Sequence, residues 1–106
     1  MEYTWYHGSP IKFDKFEFDH PTSSRLGDGK SIHLTKCFNL ARSYAKSKKN
    51  INGFVYIVKV DKQHTGRYWK MFTVDTYFTD KSDFIECLQI YNTGEIEIIE
   101  CKEVII

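Results

Sequence analysis

Apolar positions recur along this chain with two different periods. The clearest helical signal is Cys37, Leu40, Ala41, Tyr44 and Ala45, spaced i, i+3, i+4, i+7 and i+8. That spacing makes one apolar stripe and predicts an amphipathic helix. Thr35 offers a hydroxyl to the free N–H groups of its first turn. Lys46, Lys48 and Lys49 suit the negative end of its dipole, and residues 50–53 end it. Just before it, residues 31–34 read as a short strand that carries His33. Gly27 and Gly29, in the preceding loop, let a ligand approach the backbone closely.

The remaining segments follow from alternation and punctuation. Residues 3–6 read as a short aromatic strand, ended by His7-Gly8-Ser9-Pro10. Residues 11–18 interleave Phe13, Phe16 and Phe18 with charges, a pattern that fits a short helix or an irregular packed loop. Residues 20–30 are polar, hold Pro21 and two glycines, and form a loop that includes Arg25. Residues 54–60 are almost continuously apolar, which predicts a strand covered on both faces. After a turn at 61–66, the aromatic-rich stretch 67–79 fits either strand or short helix. Residues 84–91 alternate as a strand, Asn92-Thr93-Gly94 is a turn, and 95–106 is a closing strand. The turn predicts that these last two strands pair as an antiparallel hairpin. The fold class is therefore α+β, with a mainly antiparallel sheet and one principal amphipathic helix. No βαβ winding is visible, and no G-x-G-x-x-G follows a strand, which argues against Rossmann-type nucleotide binding.

Composition narrows the function. A chain of 106 residues is expected to be one domain, and 42% hydrophobic and 16% aromatic residues predict a folded globule. The net charge of +1 gives no global attraction to nucleic acid or anionic membrane. Cys37, Cys87 and Cys101 are odd in number and lack CxxC spacing, so they read as buried thiols in a reducing compartment. No His/Cys spacing predicts a metal. The first residues lack the basic and apolar regions of a secretory signal, and no apolar run spans a bilayer. The expected location is cytoplasmic.

Three separated pieces resemble the ADP-ribosyltransferase fold, in its diphtheria-toxin-like and poly(ADP-ribose)-polymerase-like branch. Trp5-Tyr6-His7-Gly8-Ser9 is similar to that branch's aromatic-His-Gly-Ser/Thr segment. Gly29 to Thr35, with the helix through Tyr44, is similar to its Gly-Ile-Tyr-Phe/Leu strand and following helix. Tyr91-Asn92, then Glu95-Ile96-Glu97-Ile98-Ile99-Glu100 and Val104, resembles the closing strand that starts with the catalytic glutamate. The chain departs from the branch at His33, where the polymerases carry tyrosine, and at Ala41, where they carry a serine that binds the carboxamide. The RNA 2′-phosphotransferase branch also places histidine at the first of these positions.

The resemblance implies NAD as substrate, bound in a cleft. Gly8 would meet the nicotinamide carboxamide through its backbone, with Ser9 beside it. His7 would hydrogen-bond the adenosine-side ribose, Tyr44 would stack on the nicotinamide ring, and His33 would join the catalytic residues in the place of the polymerases' tyrosine. Glu95 would contact the nicotinamide ribose as the catalytic carboxylate, where positive charge builds as the glycosidic bond breaks. Arg25 offers a guanidinium to the pyrophosphate. Each residue also has a structural reading: Tyr44 lies on a core stripe, His33 fits a hydrogen-bonded core histidine, and Glu95 and Glu97 fit a solvent-facing row. Asp83 and Glu86 are further carboxylate candidates. The expected activity is mono-ADP-ribosylation of a macromolecule, protein favoured over nucleic acid, in a toxin-like or phage-encoded anti-defence role. The alternative is an inactive module of the same fold that binds protein, for which the aromatics between Tyr68 and Phe78 supply a surface.

Overall fold

The computed structural model describes residues 4–16, 31–46, 52–73 and 83–105. Six strands and one helix follow in the order β1 (Thr4–Ser9), β2 (Ile32–Thr35), α1 (Phe38–Tyr44), β3 (Asn52–Val60), β4 (Arg67–Thr73), β5 (Asp83–Ile90) and β6 (Ile96–Ile105). The strands form one sheet in the order β4-β5-β2-β1-β3-β6, and every neighbouring pair is antiparallel. The architecture is α+β, as the sequence pattern predicts.

The two halves of the sheet meet at a narrow seam. Among the described residues, β1 and β2 are paired in register at Tyr6–Thr35 alone, although both strands continue past it. The sheet bends there, so the inner faces of β4-β5-β2 and β1-β3-β6 share one core. Ile32, Leu34, Leu88 and Ile90 from one half pack with Trp5, Tyr56, Val58 and Val60 from the other. In a flat sheet β1 and β4 would stand about 14 Å apart. Here the rings of Trp5 and Tyr68 meet edge-to-face at 6.4 Å.

The irregular-loop alternative holds for residues 11–16. Phe13 stacks on Tyr56 at 4.2 Å, and the Tyr56 hydroxyl accepts from the Phe13 N–H (2.6 Å) and donates to its carbonyl (2.9 Å). Both backbone groups of Phe13 are thereby satisfied by one side chain. Residues 67–73 resolve as strand. The stretch 20–30, with Arg25, and the lysines at 48 and 49 lie outside the described residues.

Of the helix stripe Leu40, Ala41 and Ala45 are buried, whereas Cys37 is half-buried and Tyr44 is exposed. Its packing depends on two glycines. A methyl at Gly8 would meet the backbone carbonyl of Ala41, and one at Gly53 would meet Ala45. Ala41 and Ala45, one helical turn apart, thus sit directly on the backbones of β1 and β3.

Three expectations are corrected. Thr35 is the last residue of β2, and the helix is capped at Cys37 without a side-chain bond. The Thr35 hydroxyl accepts from the Cys37 N–H and donates to the Glu86 carbonyl, both at 3.1 Å, which fixes the strand–helix turn rather than the helix end. Gly53 does not stop the helix but lies inside β3. The predicted hairpin of the last two strands does not form: β5 lies between β4 and β2, and β6 pairs with β3 at the far edge. Four antiparallel steps separate β5 from β6, so they run in the same direction. The Asn92-Thr93-Gly94 turn is a 3-10 turn in which the Asn92 side chain accepts from the Gly94 N–H. It carries the chain onward instead of back.

Candidate ligand-binding cleft

Beyond the Tyr6–Thr35 rung the backbones of β1 and β2 part, and α1 lies over the opening. The result is a cleft of about 350 Å³ on the outer face of the β4-β5-β2 half. That volume is at the lower end of small-molecule sites. Strand register builds its floor. Tyr6 pairs with Thr35, Thr35 with Cys87, and Cys87 with Trp69, one residue from each of four strands, and all four line the cleft. The next row on the same face is His33, Gln89 and Arg67. Leu40 and Tyr44, one helical turn apart on α1, form the roof.

His7 closes the gap between the parted strands. Its Nδ1 lies 2.9 Å from the His33 carbonyl, which can only accept, so the ring carries its proton on Nδ1. The imidazole is buried edge-on to Phe16 at 5.0 Å and Phe13 at 6.2 Å. The same loop that covers the core therefore fixes the ring. His33 stands edge-on to Trp69 at 6.3 Å and 80°. Cys87 is buried, and burial pushes its thiol above the ordinary range, which favours the protonated thiol.

Four residues expected from the sequence, His7, Gly8, His33 and Tyr44, thus come together from β1, β2 and α1. The others lie elsewhere. Ser9 is fully buried, bonding through its hydroxyl to the N–H and carbonyl of Ile11, and shapes the strand exit. Glu95 ends the 3-10 turn, and both its oxygens accept from Thr65, from the N–H and, at 3.1 Å, from the hydroxyl. It is not part of the cleft lining. Glu97 lies opposite Lys59 on the β6 edge, and Glu86 accepts from the Tyr68 hydroxyl at 2.8 Å on the other face. Asp83 begins β5 opposite Thr73, one same-face step of about 7 Å beyond the Met71–Ile85 pair.

Trp69, Met71 and Cys87 also line the cleft; the sequence marks Trp69 only as one of the aromatics of a protein-binding surface, Cys87 only as a buried thiol, and Met71 not at all. The signal available was the alternation Arg67, Trp69, Met71 against Tyr68, Lys70, Phe72 within 67–73. It identifies two faces of a strand without saying which neighbour either face meets. Among the described residues, no group of three His, Cys, Asp or Glu side chains is arranged to hold a metal ion. No described helix is long and apolar enough to cross a membrane. Comparisons of the chain with protein-family models, with curated proteins and with solved structures give no match.

Proposed function

We propose that this chain is a small ADP-ribosyltransferase-like protein whose cleft takes the nicotinamide end of NAD. The observation that carries this reading is the convergence of His7, Gly8, His33 and Tyr44 on one cleft, from three elements far apart in sequence. In the reaction, the bond between nicotinamide and ribose breaks with its electron pair leaving on nicotinamide. A nucleophile of the macromolecular acceptor, protein in the first place, bonds to the ribose carbon and gives up its proton. Tyr44 and Trp69 bring aromatic side chains to the lining, a chemistry suited to a planar cationic ring. The apolar walls exclude water that would otherwise compete with the acceptor.

Glu95, held by Thr65, is the carboxylate the resemblance implies, and Asp83, which opens β5, is the alternative to test beside it. Nicotinamide release from NAD, measured with and without a cell lysate as acceptor source, separates them. Loss on the order of a hundredfold or more is expected for the acting carboxylate. If only Asp83→Asn abolishes release, β5 supplies it; if only Glu95→Gln does, the turn before β6 does. Absence of release and of NAD binding in the unaltered protein refutes the transferase reading.

A second reading, a non-catalytic protein-binding module, rests on one observation. Phe72 and Phe84 are 56% and 57% exposed and meet edge-to-face at 5.1 Å. Exposed paired aromatics are typical of recognition surfaces.

A further inference from the structure

We infer that Arg67 is the phosphate-binding residue of the cleft, so that the site selects a phosphorylated nicotinamide nucleotide over the bare ring or its nucleoside. This deepens the proposed function and rests on it. Arg67 opens β4, on the same face as Trp69 and in the row of Gln89 and His33 that borders the cleft floor. Its guanidinium lies over the Trp69 ring, 5.7 Å from the centroid. The indole is therefore shared, serving the cleft as a wall and Arg67 as a platform.

Three features make this arginine suited to an anion. It is exposed at the rim, so a phosphate reaches it without a desolvation cost as large as burial imposes. The residue opposite it on β5, Gln89, is neutral and donates to the Ser31 hydroxyl at 2.8 Å. Among the described residues no carboxylate stands within ion-pair distance of it. Glu86 is on the opposite face with Tyr68, and Glu95 is engaged by Thr65. Stacking on Trp69 restricts the fork before a ligand arrives, so less conformational freedom is lost on binding. Arg67 lies one same-face step, about 7 Å along β4, from Trp69, so a ligand seated against Trp69 has the guanidinium side chain within reach.

The test compares nicotinamide, nicotinamide riboside and nicotinamide mononucleotide by calorimetry, on the unaltered protein, Arg67→Gln and Arg67→Lys. In the unaltered protein the mononucleotide is expected to bind about tenfold more tightly than the riboside, a preference that weakens with added salt. Arg67→Gln should abolish that preference and Arg67→Lys should restore part of it. An unchanged mononucleotide-to-riboside ratio in Arg67→Gln overturns the inference while leaving nicotinamide binding, and with it the proposed function, standing. Failure of all three ligands to bind the unaltered protein overturns both.

Discussion

Replacing Gly8 with alanine is expected to destabilise the protein by ~3 kcal/mol or more, at the upper end of what an extra methyl costs in a packed interior. For a domain near 100 residues that is a fall in Tm of roughly 10–25 °C. The sign is the informative part. Glycine in the middle of a strand is normally a liability, and exchange for alanine relieves it by about 0.5–1 kcal/mol. At this position the new methyl meets the Ala41 carbonyl, with the Ala45 N–H also near. Both belong to helix backbone, which has no rotamer to move, so α1 must lift from β1. Lifting it exposes Leu40, Ala41 and Ala45, all buried now, and opens the roof of the cleft. Thermal unfolding followed by circular dichroism measures the effect. A variant as stable as the parent would mean that α1 does not sit on β1 as described.

Tyr56→Ala is expected to cost ~3–5 kcal/mol, the range for removing a buried aromatic side chain. Tyr56→Phe should cost about 1–3 kcal/mol, because the Phe13 N–H and carbonyl lose their partner while the ring contact stays. The gap between the two variants isolates the ring. The hydroxyl also leaves a signature in pH. Burial pushes the Tyr56 phenol up from 10.0 to about 12. A raised acid holds its proton longer in the folded chain than in the unfolded one, so its contribution is complete below pH 10. Between pH 10 and 12 the unfolded chain releases the proton first, and stability falls. Urea midpoints across that range should decline more steeply for the parent than for Tyr56→Phe. Parallel slopes would contradict the buried, bonded phenol.

The sequence made legible what local pattern controls. The stripe from Cys37 to Ala45 specifies a helix with one buried face, and the apolar run 54–60 specifies a strand covered on both sides. The cleft residues His7, Gly8, His33 and Tyr44 stand out in the sequence through a resemblance of separated segments, not through local pattern. Register was not legible. Asn92-Thr93-Gly94 has hairpin chemistry, yet β5 already has partners on both edges and β6 finds its own on β3. Trp69 has no local mark of a site residue, and lines the cleft because Cys87 separates it from Thr35 in the sheet. Gly8 was read as a ligand contact, and its nearest neighbour across the interface is the helix.

Binding of the nicotinamide end of NAD at the opening between β1 and β2 is tested most directly by titrating NAD and nicotinamide into protein labelled at the two tryptophan indoles and following each N–H resonance. Trp69 lines the cleft, whereas Trp5 is buried in the core shared by the two halves of the sheet. A saturable shift of Trp69 with Trp5 unmoved, weakened in Tyr44→Ala, is the predicted result. Saturable binding that leaves Trp69 unmoved, or no binding by either ligand, would contradict it.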